Sequence, residues 1–286
     1  MISLISGERR SFYQRLVRDH TLSVSGGVAS NADASQRTSR AIALNIAERL
    51  GAGTAERKLD GQRAGKQFEG AVAGFIGATF PHLGTLRPGT WEVMNVGGSR
   101  GTYQIAKYEP YTHLDDLANA IDADPTLQSV LGNSYDISPD VLVLRHPESD
   151  DEINAHDYLV DDGSARHAVI RASNQPRPIV HAIVSCKWTL RSDRAQNARS
   201  EALNIIRNRK GRTPHIAVVT AEPTPSRLAS LALGTGDVDT VYHFALPELV
   251  DAVHETENDE AISMLHILVD GKRLRDISDL PLDLAV

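Results

Sequence analysis

The 286-residue chain is predicted to fold as one α/β domain, with a mixed central sheet and helices on both of its faces. Three features carry that prediction. Apolar residues recur at helical spacing through the first 80 positions, which read as a mainly helical N-terminal part. Two continuous apolar runs, Val141–Leu144 and Ile179–Val184, have the character of strands buried on both faces. Short helical and strand patterns then alternate from Arg194 onward.

Taken in order, Ser11–Asp19 sets Phe12, Tyr13, Leu16 and Val17 on one helical face. Ser35–Leu50 spaces Ile42, Ile46 and Leu50 by one turn and meets Gly51 where a helix ends. A third helix over Gln62–Phe80 lines up Phe68, Val72, Phe75, Ile76 and Thr79, and Pro81 stops it. Trp91–Val96 and Tyr103–Ala106 read as strands around the turn Gly97-Gly98-Ser99-Arg100-Gly101. Helices at His113–Asp122 and Thr126–Leu131 precede the two buried strands. Beyond them, Ala195, Ala198, Ala202, Ile205 and Ile206 mark a helix over Arg194–Arg209. Ile216–Thr220 and Val241–Phe244 are strands, each followed by a helix, Ser226–Leu233 and Pro247–His254.

The segment Arg145–Pro178 fits this alternation poorly. It is far longer than the ~2–5 residues a hairpin needs. It is acidic, yet it holds Tyr158-Leu159-Val160 and Ala168-Val169-Ile170, so it is expected to pack on something.

Composition narrows the class. Hydrophobic residues make up 41% and charged residues 23%, a globular profile. No apolar run approaches the ~18–20 residues of a membrane span, and charges at Glu8, Arg9 and Arg10 interrupt any signal-peptide core. The one cysteine, Cys186, excludes an internal disulfide and any multi-cysteine metal site, so the expected setting is the reducing cytoplasm. Net charge is −7, but the window His181–His215 carries eight Lys/Arg against two acids, +6, which leaves −13 for the rest. Such a basic stripe on an acidic body suits contact with a polyanion; a solvated helix face is the plainer account.

Weak signals fall away. Gly51-Ala52-Gly53 follows a helix rather than a strand, Gly61–Lys66 lacks phosphate-loop spacing, no histidine pair has metal-ligand spacing, and no Gly-x-Ser-x-Gly elbow occurs. The informative pair is Pro139-Asp140 at the mouth of one buried strand and Ser185-Cys186-Lys187 at the end of the other. Strand alternation points Ser185 and Lys187 to one face. If the strands are neighbours, Asp140 meets Lys187 at a sheet end, where a carboxylate suits Mg²⁺ and an ammonium orients attacking water. A buried ion pair is the purely structural account. Next comes Arg191-Ser192-Asp193-Arg194. Ser192 or Asp193 caps the basic helix. Two arginines around one aspartate also match two adjacent C·G pairs, since arginine donates to guanine O6 and N7 and a carboxylate accepts from cytosine N4.

These residues resemble the PD-(D/E)XK nuclease superfamily: 46 residues separate Asp140 from Lys187, and Glu201 lies 14 positions further on. More closely, the chain resembles the CCGG-cutting branch of type II restriction endonucleases, and the resemblance implies that branch's restriction-endonuclease-like core. Where the usual pattern has an acid two places before the lysine, this sequence has Ser185; in the branch an acid from the following helix takes over, which Glu201 matches. The resemblance makes Asp140 and Glu201 metal ligands with the Cys186 carbonyl, Lys187 the water-positioning group, Ser185 a hydrogen-bonding stand-in, and Glu69 the additional acid. It implies two Mg²⁺ per active site. Arg191, Asp193 and Arg194 would read the inner C·G pairs, and Arg227, Asp33 and Gln62 are candidates for the outer pair, each equally readable as a cap or surface polar residue.

The same resemblance implies double-stranded DNA as substrate, a GCCGGC site cut before the first cytosine to leave a four-base 5′ overhang, and a homotetramer built as a dimer of dimers. In that assembly Arg145–Pro178 is the candidate oligomerisation element. A bacterial cytoplasmic setting and a cognate methyltransferase that forms no stable complex complete the expectation. Two rival classes are a non-catalytic DNA-binding regulator and a structure-specific repair nuclease, which has little use for a base-edge reader.

Overall fold

Helix-forming residues dominate the N-terminal third of the computed structural model, which describes residues 2–55, 59–96, 104–131, 137, 139–190, 192–234 and 236–286; the side chains of Leu131 and residues 192–195 lie outside that description. Helix α1 (Leu4–Arg18) buries Phe12, Tyr13 and Leu16. A two-residue ribbon of β1 (Val24–Ser25) and β2 (Val28–Ala29) leads to α2 (Arg37–Arg49). The longest helix, α3 (Gly61–Thr79), starts at Asp60, whose side chain accepts from the Arg63 N–H at 2.9 Å. Its Phe68, Val72, Phe75, Ile76 and Thr79 are buried on one stripe, as the helical spacing predicts.

Six strands follow. They are β3 (Trp91–Asn95), β4 (Val141–Arg145), β5 (Ile179–Lys187), β6 (His215–Thr220), β7 (Thr240–His243) and β8 (Leu274–Asp276), side by side in that order. Strand β4 is antiparallel to both neighbours, whereas β5 through β8 run parallel. Between them lie α4 (His113–Ala123), α5 (Pro125–Leu131), α6 (Asp150–Ile153), α7 (Ser192–Asn208), α8 (Pro225–Ala232), α9 (Leu246–His254), α10 (Asp259–Asp270) and, after β8, α11 (Leu280–Asp283).

Both faces of the sheet are covered, and this is why its central strands read as unbroken apolar runs. Val141 and Val143 of β4 face the larger core with Phe68, Val72 and Ile76 of α3. Leu142 and Leu144 face a second core with Leu114 of α4 and Ala202 and Ile205 of α7. The mixed sheet and two-sided helical cover agree with the predicted class.

Two points need correction. Gln104–Lys107 forms a 3-10 turn rather than a strand; Ile105 and Ala106 are adjacent yet buried together in the second core, which the alternation of a strand forbids. Tyr103 and the Gly97–Gly101 turn lie outside the described residues. Three elements, α10, β8 and α11, follow His254, where the pattern marked nothing. The polar stretch before Asp259 looks like a loop, but Asn258 accepts from the Ala261 N–H at 3.1 Å and caps α10, while β8 and α11 are too short to show a period.

The Arg145–Pro178 segment is folded around one cation. Arg171 is 4% exposed and donates to both carboxylate oxygens of Asp150, at 2.6 and 2.8 Å, and to the Ser164 carbonyl at 2.6 Å. Its tip nevertheless presents Tyr158 and Leu159, 81% and 64% exposed.

Candidate active site

Antiparallel pairing sets Val141 of β4 opposite Val184 of β5, so Asp140, one step before β4, falls beside the last residues of β5. There the Cys186 N–H donates to Asp140 Oδ2 at 2.7 Å, and Lys187 Nζ lies 3.3 Å from the same oxygen. All these contacts fall on Oδ2, including one from the Ser185 hydroxyl at 3.4 Å. Oδ1 is left outside this set of bonds.

Helix α7 brings the second acid. Glu201 stands two and a half turns into the helix and reaches back so that Oε2 is 3.6 Å from Lys187 Nζ and 3.4 Å from the Ser185 hydroxyl. One ammonium is thus flanked by two carboxylates. Ser185 lies between them; its single hydroxyl proton serves one at a time, and both contacts are long. The third acid, Glu69, comes from α3 and lines a cleft of about 580 Å³ with Lys66, Lys187, Asn197 and Glu201. Gln62 lines the same cleft.

The electrostatics follow from this crowding. Burial pushes the Glu69 carboxyl up to about 7, helped by the negative charge of Asp140 and opposed by Lys187 and Lys66. Glu201 is also raised, first by burial and then by Asp140, against the pull of Lys187. For Lys187, burial alone would lower the pKa, but Asp140 and Glu201 outweigh it and hold the ammonium protonated. The Cys186 thiol, buried against the larger core, is pushed far up by burial and by Asp140, so its contribution to the cleft is its backbone.

A second cleft of about 380 Å³ adjoins Trp188 and Thr189 and is lined by Asp33 and Arg227. These two candidates, 194 positions apart, form an ion pair with each other. The Ser35 hydroxyl and N–H, at 2.6 and 3.0 Å, and then Arg227 hold the Asp33 carboxyl well below the usual range. Arg191 lies outside the described residues, as do the side chains of Ser192, Asp193 and Arg194, although the backbone of α7 begins at Ser192.

Sequence reasoning missed Glu222. It is 1% exposed, accepts from the Leu190 N–H at 2.8 Å and the Thr224 N–H at 3.1 Å, and stands 3.8 Å from Arg227. Burial raises its pKa. It therefore ties the backbone just before Arg191 to the helix that carries Arg227. The available signal was its place just after β6, since ligands gather at the carboxyl ends of parallel strands.

The described helices include none long and apolar enough to cross a membrane. The family described as NgoMIV restriction enzyme matches residues 12–286. The chain belongs to that family. It is also 50% identical over 287 residues to the type II restriction enzyme NgoMIV of Neisseria gonorrhoeae, covering 100% of both chains. It is accordingly a site-specific deoxyribonuclease, and enzymes of this kind generally require a divalent metal ion. The solved complex of the restriction endonuclease PspGI with substrate DNA matches at 14% identity and a TM-score of 0.26, covering 99% of this chain and 92% of that one, too loosely to position site residues.

Proposed function

We propose that the protein hydrolyses double-stranded DNA at GCCGGC, before the first cytosine, with two Mg²⁺ ions held by Asp140, Glu201 and the Cys186 carbonyl and with Glu69 as the additional acid of the cleft. The observation that supports this best is the convergence of Asp140 and Glu201 on Lys187 at the adjoining ends of β4 and β5. The donor set is made of hard oxygens, as Mg²⁺ requires. Among the described residues no three His, Cys, Asp or Glu side chains surround one point, so the backbone carbonyl, water and DNA phosphate oxygens would complete the coordination. When bound, the metal supplies positive charge against the phosphate and favours an ionised attacking water.

The protein's own groups do the rest. Lys187 stays charged between its two acids and holds the attacking water by hydrogen bonding. Asp140 is fixed by the Cys186 N–H, so its free oxygen keeps one position. Glu69, with a pKa near neutrality, passes between acid and carboxylate as the cleft fills. Arg191, Asp193 and Arg194 read the two inner C·G pairs in the major groove. Arg227, held by Asp33, meets the outer guanine, and Gln62 is the further candidate for that pair.

The palindrome implies a twofold dimer, and we place the contact between dimers of a homotetramer on the Arg145–Pro178 segment. Its support is the rigid Arg171–Asp150 clasp beneath an apolar exposed tip. The expected setting is a bacterial cytoplasm that also contains a cognate methyltransferase, with which no stable complex forms.

The test is cleavage of two plasmids that differ only in a single GCCGGC, with Mg²⁺ or with a chelator, followed by sequencing of the ends. Cutting confined to the GCCGGC plasmid with Mg²⁺, and ends carrying 5′-CCGG, is the expected result. Cutting at another sequence, or in the chelator, would remove this reading.

A further inference from the structure

The nuclease cleft lies where β4 begins and β5 ends. At the other end of the same two strands is a separate cavity of about 330 Å³, lined by Arg87, Arg145, Lys210 and Arg212 with Ile170 and Val180 as apolar wall. Strand β5 has nine residues, a rise of about 26 Å between its ends, so the two sites are a strand length apart.

Positive charge here is not balanced. Arg145 Nη2 stands 3.3 Å from Glu148, but its Nε is buried and has no hydrogen-bond partner among the described residues. Arg87, Lys210 and Arg212 have no ion pair among the described residues. The one carboxylate in the lining, Glu109, accepts from the Thr112 hydroxyl at 3.1 Å. The repulsion reaches Arg87, whose pKa is lowered by burial and by the charges of Arg212 and Arg145. A chain of net charge −7 has acids to spare, yet it places only Glu109 among the four cations of this lining. Three guanidinium groups present planar forks that match phosphate oxygens, and a buried donor left unpaired is costly unless a ligand takes it. An inorganic phosphate would leave most of the volume and the Ile170–Val180 wall unused.

We propose that this cavity binds a phosphomonoester of mononucleotide size, with its phosphate on Arg87, Arg145 and Arg212 and its uncharged body against Ile170 and Val180.

The experiment is titration calorimetry of the full-length protein at low salt in a chelator, with four probes: thymidine monophosphate, inorganic phosphate, thymidine, and a short duplex lacking CCGG. Thymidine monophosphate should bind, phosphate more weakly, and thymidine not at all. Arg87→Ala and Arg212→Ala should each weaken thymidine monophosphate about tenfold or more, the loss expected for one charged hydrogen-bonding partner. Arg87→Lys should fall between, since it keeps the charge and loses the fork. Arg87→Ala should cut plasmid at the normal rate, which also shows that the variant is folded. No binding at millimolar thymidine monophosphate overturns the proposal. Unchanged binding in both alanine variants does the same, and so does full displacement by the duplex, which would assign these cations to the DNA backbone.

Discussion

Where β4 begins and β5 ends, Lys187 lies 3.3 Å from Asp140 and 3.6 Å from Glu201; where β4 ends and β5 begins, Arg87, Arg145, Lys210 and Arg212 line a cavity with Glu109 as its one carboxylate. The same strands carry both clusters, and the antiparallel register keeps them apart. At the first end the three acids Asp140, Glu201 and Glu69 outnumber Lys187 and Lys66, and two of those acids have raised pKa values. At the second end cations exceed acids, and Arg87 has a lowered one. Each cluster holds surplus charge of the sign opposite to what it is inferred to bind: a metal cation at one, a phosphate at the other. The unpartnered, buried Nε of Arg145 is the point where that surplus is costliest, because a buried donor left unpaired weakens the fold.

The sharpest break of this contrast is Lys187→Ala. It strips the acidic end of the ammonium that both Asp140 and Glu201 face. Single-turnover cleavage should fall by about a thousandfold, the scale for removing a group that stabilises the transition state. Specific DNA binding in Ca²⁺, followed by gel shift, should persist, since none of the residues proposed to read bases is Lys187. Cleavage within tenfold of the unaltered protein would mean that the Asp140–Lys187 pair is structural.

A subtler change is Glu69→Gln. The Glu69 carboxyl has a folded pKa of about 7 against an ordinary 4.5. Below pH 4.5 the proton is bound in both states, so Glu69 adds no pH dependence. Between 4.5 and about 7 the folded protein keeps a proton that the unfolded chain releases, so stability falls as pH rises. Above that window the penalty is complete, about 2 kcal/mol once partial solvent access is allowed for. Glu69→Gln should therefore flatten the denaturation midpoint between pH 5 and pH 8, and Mg²⁺ should stabilise the unaltered protein more than the variant at pH 8. Parallel pH curves for the two proteins would detach Glu69 from the acidic cluster.

Much of the acidic end is legible in the sequence because its parts are local. The runs Val141–Leu144 and Ile179–Val184 announce buried strands, Asp140 and Lys187 stand at their adjoining tips, and Glu201 lies on the helix that follows Lys187 in the chain. The basic end is not legible. Arg87 comes from the loop before β3, Arg145 from β4, and Lys210 and Arg212 from the turn after α7, so no spacing links them. The Asp33–Arg227 pair joins positions 194 apart, and Glu222 acts through backbone N–H groups that carry no residue identity. Periodicity reports burial along one element; it is silent on which loops converge at its ends.

The gentlest perturbation tests the basic end without any ligand. Arg87 makes no ion pair among the described residues, and the charges of Arg212 and Arg145 repel it. Arg87→Ala removes that repulsion and also removes the packing of its side-chain stem, so the two effects oppose each other. At low salt the electrostatic part is unscreened, and the midpoint of thermal unfolding should match or slightly exceed that of the unaltered protein, a change within about 0.5 kcal/mol. At high salt the repulsion is screened, the packing loss remains, and the variant should drop below the unaltered protein. A partnered arginine would give the reverse: its alanine variant would be worst at low salt and recover as salt weakens the pair. The sign of the salt dependence, rather than the size of the shift, therefore decides whether this end of the sheet carries unspent positive charge.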